Sequence, residues 1–149
     1  MTSVIWKIQP FDQLSAQQLY KILKVRQEVF VVEQTCPYLD TDGFDEKALH
    51  LWGEINGEII AYCRIFAPHV KYLEASLGRV LTHPNFRSSS FGKNLVKIAI
   101  EIIETRFPHH SIKISAQDYL LLFYQSFGFI ETGLKYLEDG IPHSEMYRD

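Results

Sequence analysis

The chain has 149 residues, of which 46% are hydrophobic, and carries a formal net charge of −3 at pH 7. This length predicts one domain over residues 1–149 with a hydrophobic core of its own. The acidic balance without a basic block argues against a nucleic-acid partner, and no apolar run reaches the ~20 residues of a membrane span. The first residues lack a signal-peptide layout, so we expect a cytoplasmic protein.

The N-terminal part of the chain predicts a strand, a helix and a loop. Apolar residues alternate over Val4–Ile8, as in a strand exposed on one face. Ser15 and Gln18 have capping-box spacing, and apolar residues at helical spacing continue from there to Phe30. The segment 35–47 is rich in Asp and Gly and is therefore predicted to be a loop.

The rest of the chain predicts two hairpins and two further helices. Asn56-Gly57 is a strong hairpin signal, because both turn residues favour positive φ. Asp118 is a candidate helix cap, and Gly128 is placed to end that helix. This order predicts an α/β fold with a mixed, mostly antiparallel central sheet and flanking helices. The predicted strands cover 50–55, 58–66, 76–82, 111–115, 129–137 and 141–148, and the predicted helices cover 90–107 and 118–127.

Small residues occupy the junction between the strand over 76–82 and the next helix. A helix N-terminus carries unpaired N–H groups and a partial positive charge, so small side chains there let the backbone approach an anion such as a phosphate. An alternative is a serine-rich cap with a solvated arginine. The junction consists of Arg87, Ser88, Ser89, Ser90, Phe91, Gly92 and Lys93.

A family resemblance appears when this junction is taken together with the motif FYQSFGF, residues 123–129. The combination resembles the GCN5-related N-acetyltransferase (GNAT) superfamily, in which the junction follows R/Q-x-x-G-x-G/A and holds the pyrophosphate of acetyl-CoA. Gly92 matches the last small position, while Ser90 replaces the middle glycine and lacks its freedom at positive φ. The segment 26–46 and the motif EDGIPHSEM, residues 138–146, are similar to the ElaA-like branch.

The resemblance implies an acyl-CoA N-acyltransferase fold and direct transfer of an acetyl group from acetyl-CoA to a primary amine, with no metal. The amine belongs either to a small molecule or to a protein, and the sequence does not decide between them. It implies that the junction from Arg87 to Lys93 binds the donor's phosphates. The strand edge of Val80, Leu81 and Thr82 would pair with the pantetheine arm and polarise the thioester carbonyl. Tyr124 would donate a proton to the departing thiolate. A core aromatic is the alternative for Tyr124, because it lies on an apolar helix face.

The general base is open at this point. Glu33 follows the first helix, on the side where the acceptor binds in this superfamily, and is the candidate we select. Glu74, His83 and His143 are alternatives, as is a water relay. Neither the six histidines nor the cysteines Cys36 and Cys63 have metal-ligand spacing, so we expect no metal site.

Several charged residues lie where apolar ones or a plain loop are expected. Arg79 lies inside a strand, where its stem either lies on the sheet with the head in solvent, or its head pairs with a carboxylate and shapes the acceptor site. We favour a structural pairing, and Arg26, on the apolar face of the first helix, raises the same question. The loop over 35–47 contains an acidic cluster, which is either solvated or attracts a cationic acceptor. The cluster consists of Asp40, Asp42, Asp45 and Glu46.

Two other functions stay open from the sequence. One is a non-catalytic acyl-CoA-binding module, favoured by the serines that replace glycine. The other is an acyltransferase for a longer acyl chain, because R-x-x-VF is loosely shared with acyl-homoserine lactone synthases. An aromatic content of 13% is compatible with a homodimer.

Overall fold

The computed structural model describes residues 3–149 as two antiparallel sheets with helices packed against them. The first sheet has the order β1-β2-β3-β4, and the second has the order β5-β7-β6. The strands are β1 (Ile5–Pro10), β2 (Leu49–Ile55), β3 (Glu58–Phe66), β4 (Ser76–Thr82), β5 (Ile112–Gln117), β6 (Ile130–Glu138) and β7 (Ile141–Arg148), and the helices are α1 (Ala16–Arg26), α2 (Phe91–Arg106) and α3 (Leu121–Gln125). The predicted α/β class, antiparallel pairing and flanking helices are confirmed.

The two sheets meet at a parallel bridge between Ala75 and Ile112. Ala75 donates its N–H to the Ser111 carbonyl at 3.1 Å, and Lys113 donates to the Ala75 carbonyl at 2.9 Å. Within residues 3–149, β4 and β5 pair at this bridge alone. A gap therefore runs between the two strands from the bridge towards their C-terminal ends.

Helices α1 and α2 cover opposite faces of the first sheet. Tyr62 and Cys63 are neighbours on β3, so their side chains point to opposite faces. Tyr62 packs in the cluster with Ile22 of α1, whereas Cys63 packs in the larger cluster with Leu95 of α2. None of the helices among residues 3–149 is long and apolar enough to cross a membrane.

Two helices differ from their predicted form. Helix α1 begins at the predicted capping box of Ser15, but it continues after Arg26 as a π-helical turn over Gln27–Glu33. The helix predicted over 118–127 is instead a short 3₁₀ turn followed by the five residues of α3. The predicted cap by Asp118 is wrong, because its carboxylate accepts a hydrogen bond from the Ser144 hydroxyl at 2.6 Å. Gly128 ends the segment at φ 90°, as predicted.

A β-bulge interrupts β4 beside the gap. Tyr62 pairs with Leu81 and Arg64 pairs with Gly78, so Arg79 and Val80 together lie opposite the single residue Cys63. Arg79 has φ 49°, a left-handed conformation that non-glycine residues seldom adopt. Such a bulge breaks the regular ladder and redirects the side chains on either side of it.

Candidate active site

The gap between β4 and β5 opens into two joined cavities of about 480 and 270 Å³. The larger cavity extends to the junction between β4 and α2, and we call it the junction cavity. The smaller one extends towards the bulge in β4 and the β6–β7 turn, and we call it the bulge cavity. Four residues line both of them: Phe30, Val80, Gln117 and Leu120.

The junction at the N-terminus of α2 has a left-handed residue where the family pattern has glycine. Ser90 is the N-cap of α2, with φ 60° and ψ 15°. The serine therefore adopts the conformation that glycine would take without cost. A Cβ on Gly92 would lie 3.1 Å from Thr82 Oγ1, so the absence of a side chain lets the first turn of α2 lie against the end of β4.

Arg87 and Glu33, predicted as a phosphate ligand and a base, are ion-paired with each other. Arg87 donates from Nη1 to Glu33 Oε2 at 2.7 Å and from Nη2 to Oε1 at 2.5 Å. Its Nε donates to the carbonyl of Thr82 at 3.1 Å. The hydrogen bonds with Arg87 lower the pKa of Glu33, and those with Glu33 raise the pKa of Arg87. Paired in this way, Glu33 is a weak base.

Tyr124 lies in the core and at the bulge cavity at once. Its side chain is buried, with ring centroids 5.2 Å from Phe123 and 5.9 Å from Phe129. It also lines the bulge cavity. Burial raises the pKa of the Tyr124 phenol. The two interpretations from the sequence, core aromatic and proton donor, are therefore compatible in one position.

His83 and Glu74 lie away from the bulge cavity. The Nδ1 atom of His83 accepts a hydrogen bond from the Asn85 N–H at 3.2 Å, which starts a short 3₁₀ turn. Its Nε2 atom faces Glu28 and Glu58 at 3.7 and 3.6 Å, in a separate crevice on the α1 side. Glu74 precedes the bridge residue Ala75, at the closed end of the gap.

His143 is the base candidate that lines the bulge cavity. It lies on β7 and donates from Nδ1 to the Ile141 carbonyl at 2.7 Å. Its Nε2 lies 3.2 Å from Glu138 Oε2. The Nδ1 atom is thus engaged with the backbone of its own strand, and Nε2 lies next to the Glu138 carboxylate at the cavity wall.

The unexpected arginines and the acidic cluster form one buried network. Arg26 donates from Nε to Asp40 at 2.8 Å and from Nη1 to Asp45 at 2.6 Å. Arg64 donates from Nη1 to the same Asp45 at 2.9 Å and to Asp42 at 2.8 Å. We call this alternating series the ion-pair ladder; its members in order are Arg79, Asp40, Arg26, Asp45, Arg64 and Asp42.

The ladder decides between the two interpretations of the acidic cluster. Three of the four carboxylates in the acidic cluster are bound to arginines of the ladder. These ion pairs hold the loop over 35–47 against α1 and the first sheet. Despite the opposing effect of burial, the bonds from Arg64 hold the pKa of Asp42 well below its usual range. The structural pairing predicted for Arg26 and Arg79 is confirmed.

Sequence reasoning did not single out Gln117, Phe30 or Lys71, although all three line cavities. Gln117 lines both cavities from the last position of β5. The sequence signal that could have identified Gln117 as a cavity residue is its position, since it is a polar residue at the end of a strand in which apolar and polar residues alternate. Lys71 lies in the connection before β4, where nothing in the local pattern marks it as part of a site.

Comparisons with known proteins agree with this arrangement. The family model described as an acetyltransferase (GNAT) domain matches residues 12–149. The chain is 41% identical to a UPF0039 protein from Synechocystis, with 95% of this chain and 92% of that protein covered. It is 39% identical to the protein ElaA from Escherichia coli, with 97% and 95% covered.

Two solved structures share the whole architecture. The crystal structure of E. coli ElaA has a TM-score of 0.92 at 38% identity and covers 99% of this chain and 100% of that one. An acyl-CoA N-acyltransferase from Pseudomonas aeruginosa has a TM-score of 0.93 at 34% identity, with the same coverage. With its gap between two splayed strands and this match over residues 12–149, the chain belongs to the GNAT acetyltransferase family and to its ElaA-like branch.

Proposed function

We propose that the protein transfers an acetyl group from acetyl-CoA directly to a primary amine. The observation that carries the proposal is the gap between β4 and β5, which joins a helix N-terminus at the junction cavity to a buried tyrosine at the bulge cavity. A long donor with phosphates at one end and a thioester at the other suits such a path. Membership of an acyltransferase family supports acyl transfer in general.

The residues at the junction fit a donor that carries phosphates. The first N–H groups of α2 have no partner within the helix, and the helix dipole favours an anion there. Gly92 and the left-handed Ser90 leave the backbone accessible at this point. Lys93 also lines the junction cavity and adds positive charge. Thr82, Leu81 and Val80 present the strand edge along which the pantetheine arm would pair.

Phosphate binding at Arg87 competes with Glu33. A carboxylate and a phosphate use the same paired donors of a guanidinium group. The Arg87 and Glu33 side chains are 46% and 37% exposed, so their ion pair is weakly held and can be exchanged. In this proposal the donor displaces Glu33 from Arg87, and Glu33 acts as a competitor of the donor rather than as the base.

The chemistry needs few groups. The neutral amine nitrogen attacks the thioester carbonyl carbon, the new C–N bond forms, and the C–S bond breaks with its electrons leaving on sulfur. The N–H of Val80, which follows the left-handed Arg79 in the bulge, would polarise the carbonyl oxygen. Tyr124 donates its phenolic proton to the thiolate, and the proton lost by the attacking nitrogen returns through solvent to Tyr124. The raised pKa of Tyr124 keeps this phenol protonated at neutral pH.

Calorimetric titration with acetyl-CoA tests the donor site through two variants with opposite effects. We expect Arg87→Ala to weaken binding about tenfold, because a charge-assisted contact is lost. Glu33→Gln should strengthen binding several-fold, because the competing carboxylate is gone. Glu28→Gln removes the same charge from the same helical segment without touching Arg87, and it should leave the affinity unchanged.

The same variants separate the two roles of Glu33. If Glu33 is the base, Glu33→Gln lowers kcat and leaves acetyl-CoA binding as in the wild type. The donor proposal itself fails if the wild-type protein shows neither binding heat nor thermal stabilisation by acetyl-CoA.

Tyr124→Phe tests the proton donor. We expect kcat to fall about 10²-fold or more with the KM for acetyl-CoA little changed. Because the pKa of Tyr124 is raised, the wild-type rate should not decline through Tyr124 ionisation below pH ~10, the ordinary tyrosine value. Equal rates for Tyr124→Phe and wild type would leave Tyr124 with a packing role alone.

A further inference from the structure

The bulge cavity has a chemical character that bears on the acceptor, and the inference drawn from it rests on the proposed function. Its volume of about 270 Å³ equals roughly nine water molecules at ~30 Å³ each. Tyr124, the bulge residues Arg79 and Val80, and Glu138 next to the β6–β7 turn all line it. An acceptor that reaches the thioester from this side is therefore a small molecule or a single side chain.

Arg79 brings an incompletely neutralised charge to this cavity. Its Nε lies 2.9 Å from Asp40 Oδ1, but the two atoms are not aligned for a hydrogen bond. The Asp40 carboxylate also accepts a hydrogen bond from Arg26 Nε at 2.8 Å, so one carboxylate serves two arginines, while Arg26 Nη2 donates to the Asp40 backbone carbonyl at 3.1 Å. The Arg79 guanidinium carbon lies 5.2 Å from the centre of the Phe30 ring, which fixes its orientation. Among residues 3–149, no acceptor of a hydrogen bond from its terminal nitrogens is found.

Lys71 is a second cation at the same cavity. Its Nζ lies 5.5 Å from the Phe44 ring centre and 5.7 Å from that of Phe66. Desolvation, followed by the nearby Arg64 guanidinium, lowers the pKa of Lys71. Lys71 and Arg79 are therefore two cationic side chains among the residues that line this cavity.

Three carboxylates of the described residues 3–149 line the cavity, and two of them lie against basic side chains. Asp42 is bound to Arg64, and Glu138 lies 3.2 Å from His143; the third, Asp139, lies in the exposed β6–β7 turn. The terminal nitrogens of Arg79, which have no hydrogen-bond acceptor among the described residues, are the donors that this cavity offers to a ligand. Guanidinium groups bind carboxylates through paired hydrogen bonds.

We propose that the acceptor is a small amine that also carries a carboxylate, an amino acid or a close derivative, and that Arg79 binds this carboxylate. The distance from the bulge to the thioester position is short, because Val80 lies next to Arg79 in the chain. Binding the carboxylate at Arg79 fixes the position of the amine relative to the thioester, which raises the rate by orientation.

Matched acceptor pairs test this proposal. Each amino acid is compared with the amine that lacks its carboxylate, such as lysine with cadaverine, ornithine with putrescine and phenylalanine with phenethylamine, with acetyl-CoA as donor. We expect the carboxylated member of at least one pair to have a kcat/KM about tenfold or more higher. Arg79→Gln should raise the KM for that member about tenfold and leave its decarboxylated partner little changed, and Arg79→Lys should restore part of the loss.

A structural role of Arg79 would give a different pattern. Loss of kcat towards both members of a pair in Arg79→Gln would overturn the assignment, as would equal activity of the wild type with both members. Arg106→Gln, an exposed arginine at the end of α2, is the matched control and should have no effect.

Direct binding distinguishes this inference from the proposed function. Thermal stabilisation by the same amino acids and amines, measured without any donor, needs no turnover. Preferential stabilisation by amino acids that disappears in Arg79→Gln supports the carboxylate site even if acetyl-CoA is not the donor. If acetyl-CoA binds but the amino acids neither stabilise the protein nor become acetylated, the acceptor class proposed here is wrong.

Discussion

The molecule contains two arginine–carboxylate systems that differ in burial. The ion-pair ladder lies inside the fold, and the Arg26 side chain at its centre is fully buried. The pair of Arg87 and Glu33, which we call the exposed fork, lies at the junction cavity with both side chains more than a third exposed. Both systems use short bonds between guanidinium and carboxylate groups.

The difference shows that burial, rather than the length of the bonds, decides whether an ion pair stabilises the fold or can be exchanged for a ligand. A buried charge that loses its partner is left without compensation from water, so the ladder holds the loop over 35–47 in place. An exposed pair exchanges its partner for water or another anion at little cost. The ladder is therefore structural, and the exposed fork can be opened by a ligand.

Breaking the ladder should give the largest effect. We expect Arg26→Met to lower the free energy of unfolding by about 3–5 kcal/mol, because Asp40 and Asp45 lose a buried partner. Urea denaturation measures the change. Arg106→Met on the exposed surface is the control and should alter stability by less than ~0.5 kcal/mol. A similarly small change for Arg26→Met would show that the ladder is dispensable.

The contribution of Asp42, at the opposite end of the ladder from Arg79, to stability should depend on pH. The pKa of Asp42 is lowered in the folded state, so its contribution to stability is present above the unfolded pKa of ~3.9 and is lost as pH falls towards the lower, folded value. We expect Asp42→Asn to lower stability at pH 7 by about 2 kcal/mol and to flatten the decrease below pH 4. Parallel pH curves for the two proteins would contradict this.

A smaller effect is expected at the junction that the exposed fork borders. Ser90 has φ 60°, a conformation that destabilises the folded state by ~1–2 kcal/mol for a non-glycine residue. Glycine removes this strain, but it costs ~0.5–1 kcal/mol on folding because the unfolded chain is more flexible. We expect Ser90→Gly to raise the free energy of unfolding by about 0.5–1 kcal/mol, as measured by thermal unfolding. Ser89→Gly, at the preceding position, is the control and should not stabilise the protein.

Opening the exposed fork should have the smallest effect on stability. Glu33→Gln should change the free energy of unfolding by less than ~1 kcal/mol, because half-exposed ion pairs contribute little. The change should shrink further in high salt, which screens exposed charges. A loss as large as that of Arg26→Met would remove the distinction between the two systems.

Local patterns in the sequence were enough for most of the fold. The capping box at Ser15 and the turn signals at Asn56 and Gly128 describe contacts between residues close in the chain, and the structure confirms them. The predicted helix cap by Asp118 is wrong, because its carboxylate accepts a hydrogen bond from Ser144, a residue distant in the chain. No local pattern carries that information.

For the candidate site, the family motif indicated a location, and the roles of its residues stay predictions. Five of the seven junction residues line the junction cavity, and Tyr124 lines the bulge cavity. The pairing of Glu33 with Arg87 joins residues 54 positions apart, and each was predicted on its own for a different role. Arg26 and Arg79, as charged residues at positions where apolar ones are expected, indicated ion pairs. Which carboxylates they pair with is shown only by the fold.

In the part of the chain that the structure describes, the two sheets are joined by one bridge, between Ala75 and Ile112, and this bridge can act as a pivot. The seven residues from the bridge to Thr82 span ~23 Å at ~3.3 Å per residue. A rotation of ~5° between the two sheets, pivoting at the bridge, therefore moves the far end of the gap by ~2 Å, about half the separation of paired strands. A substitution beside Ala75 can thus alter the width of the gap at the junction cavity without touching any residue there.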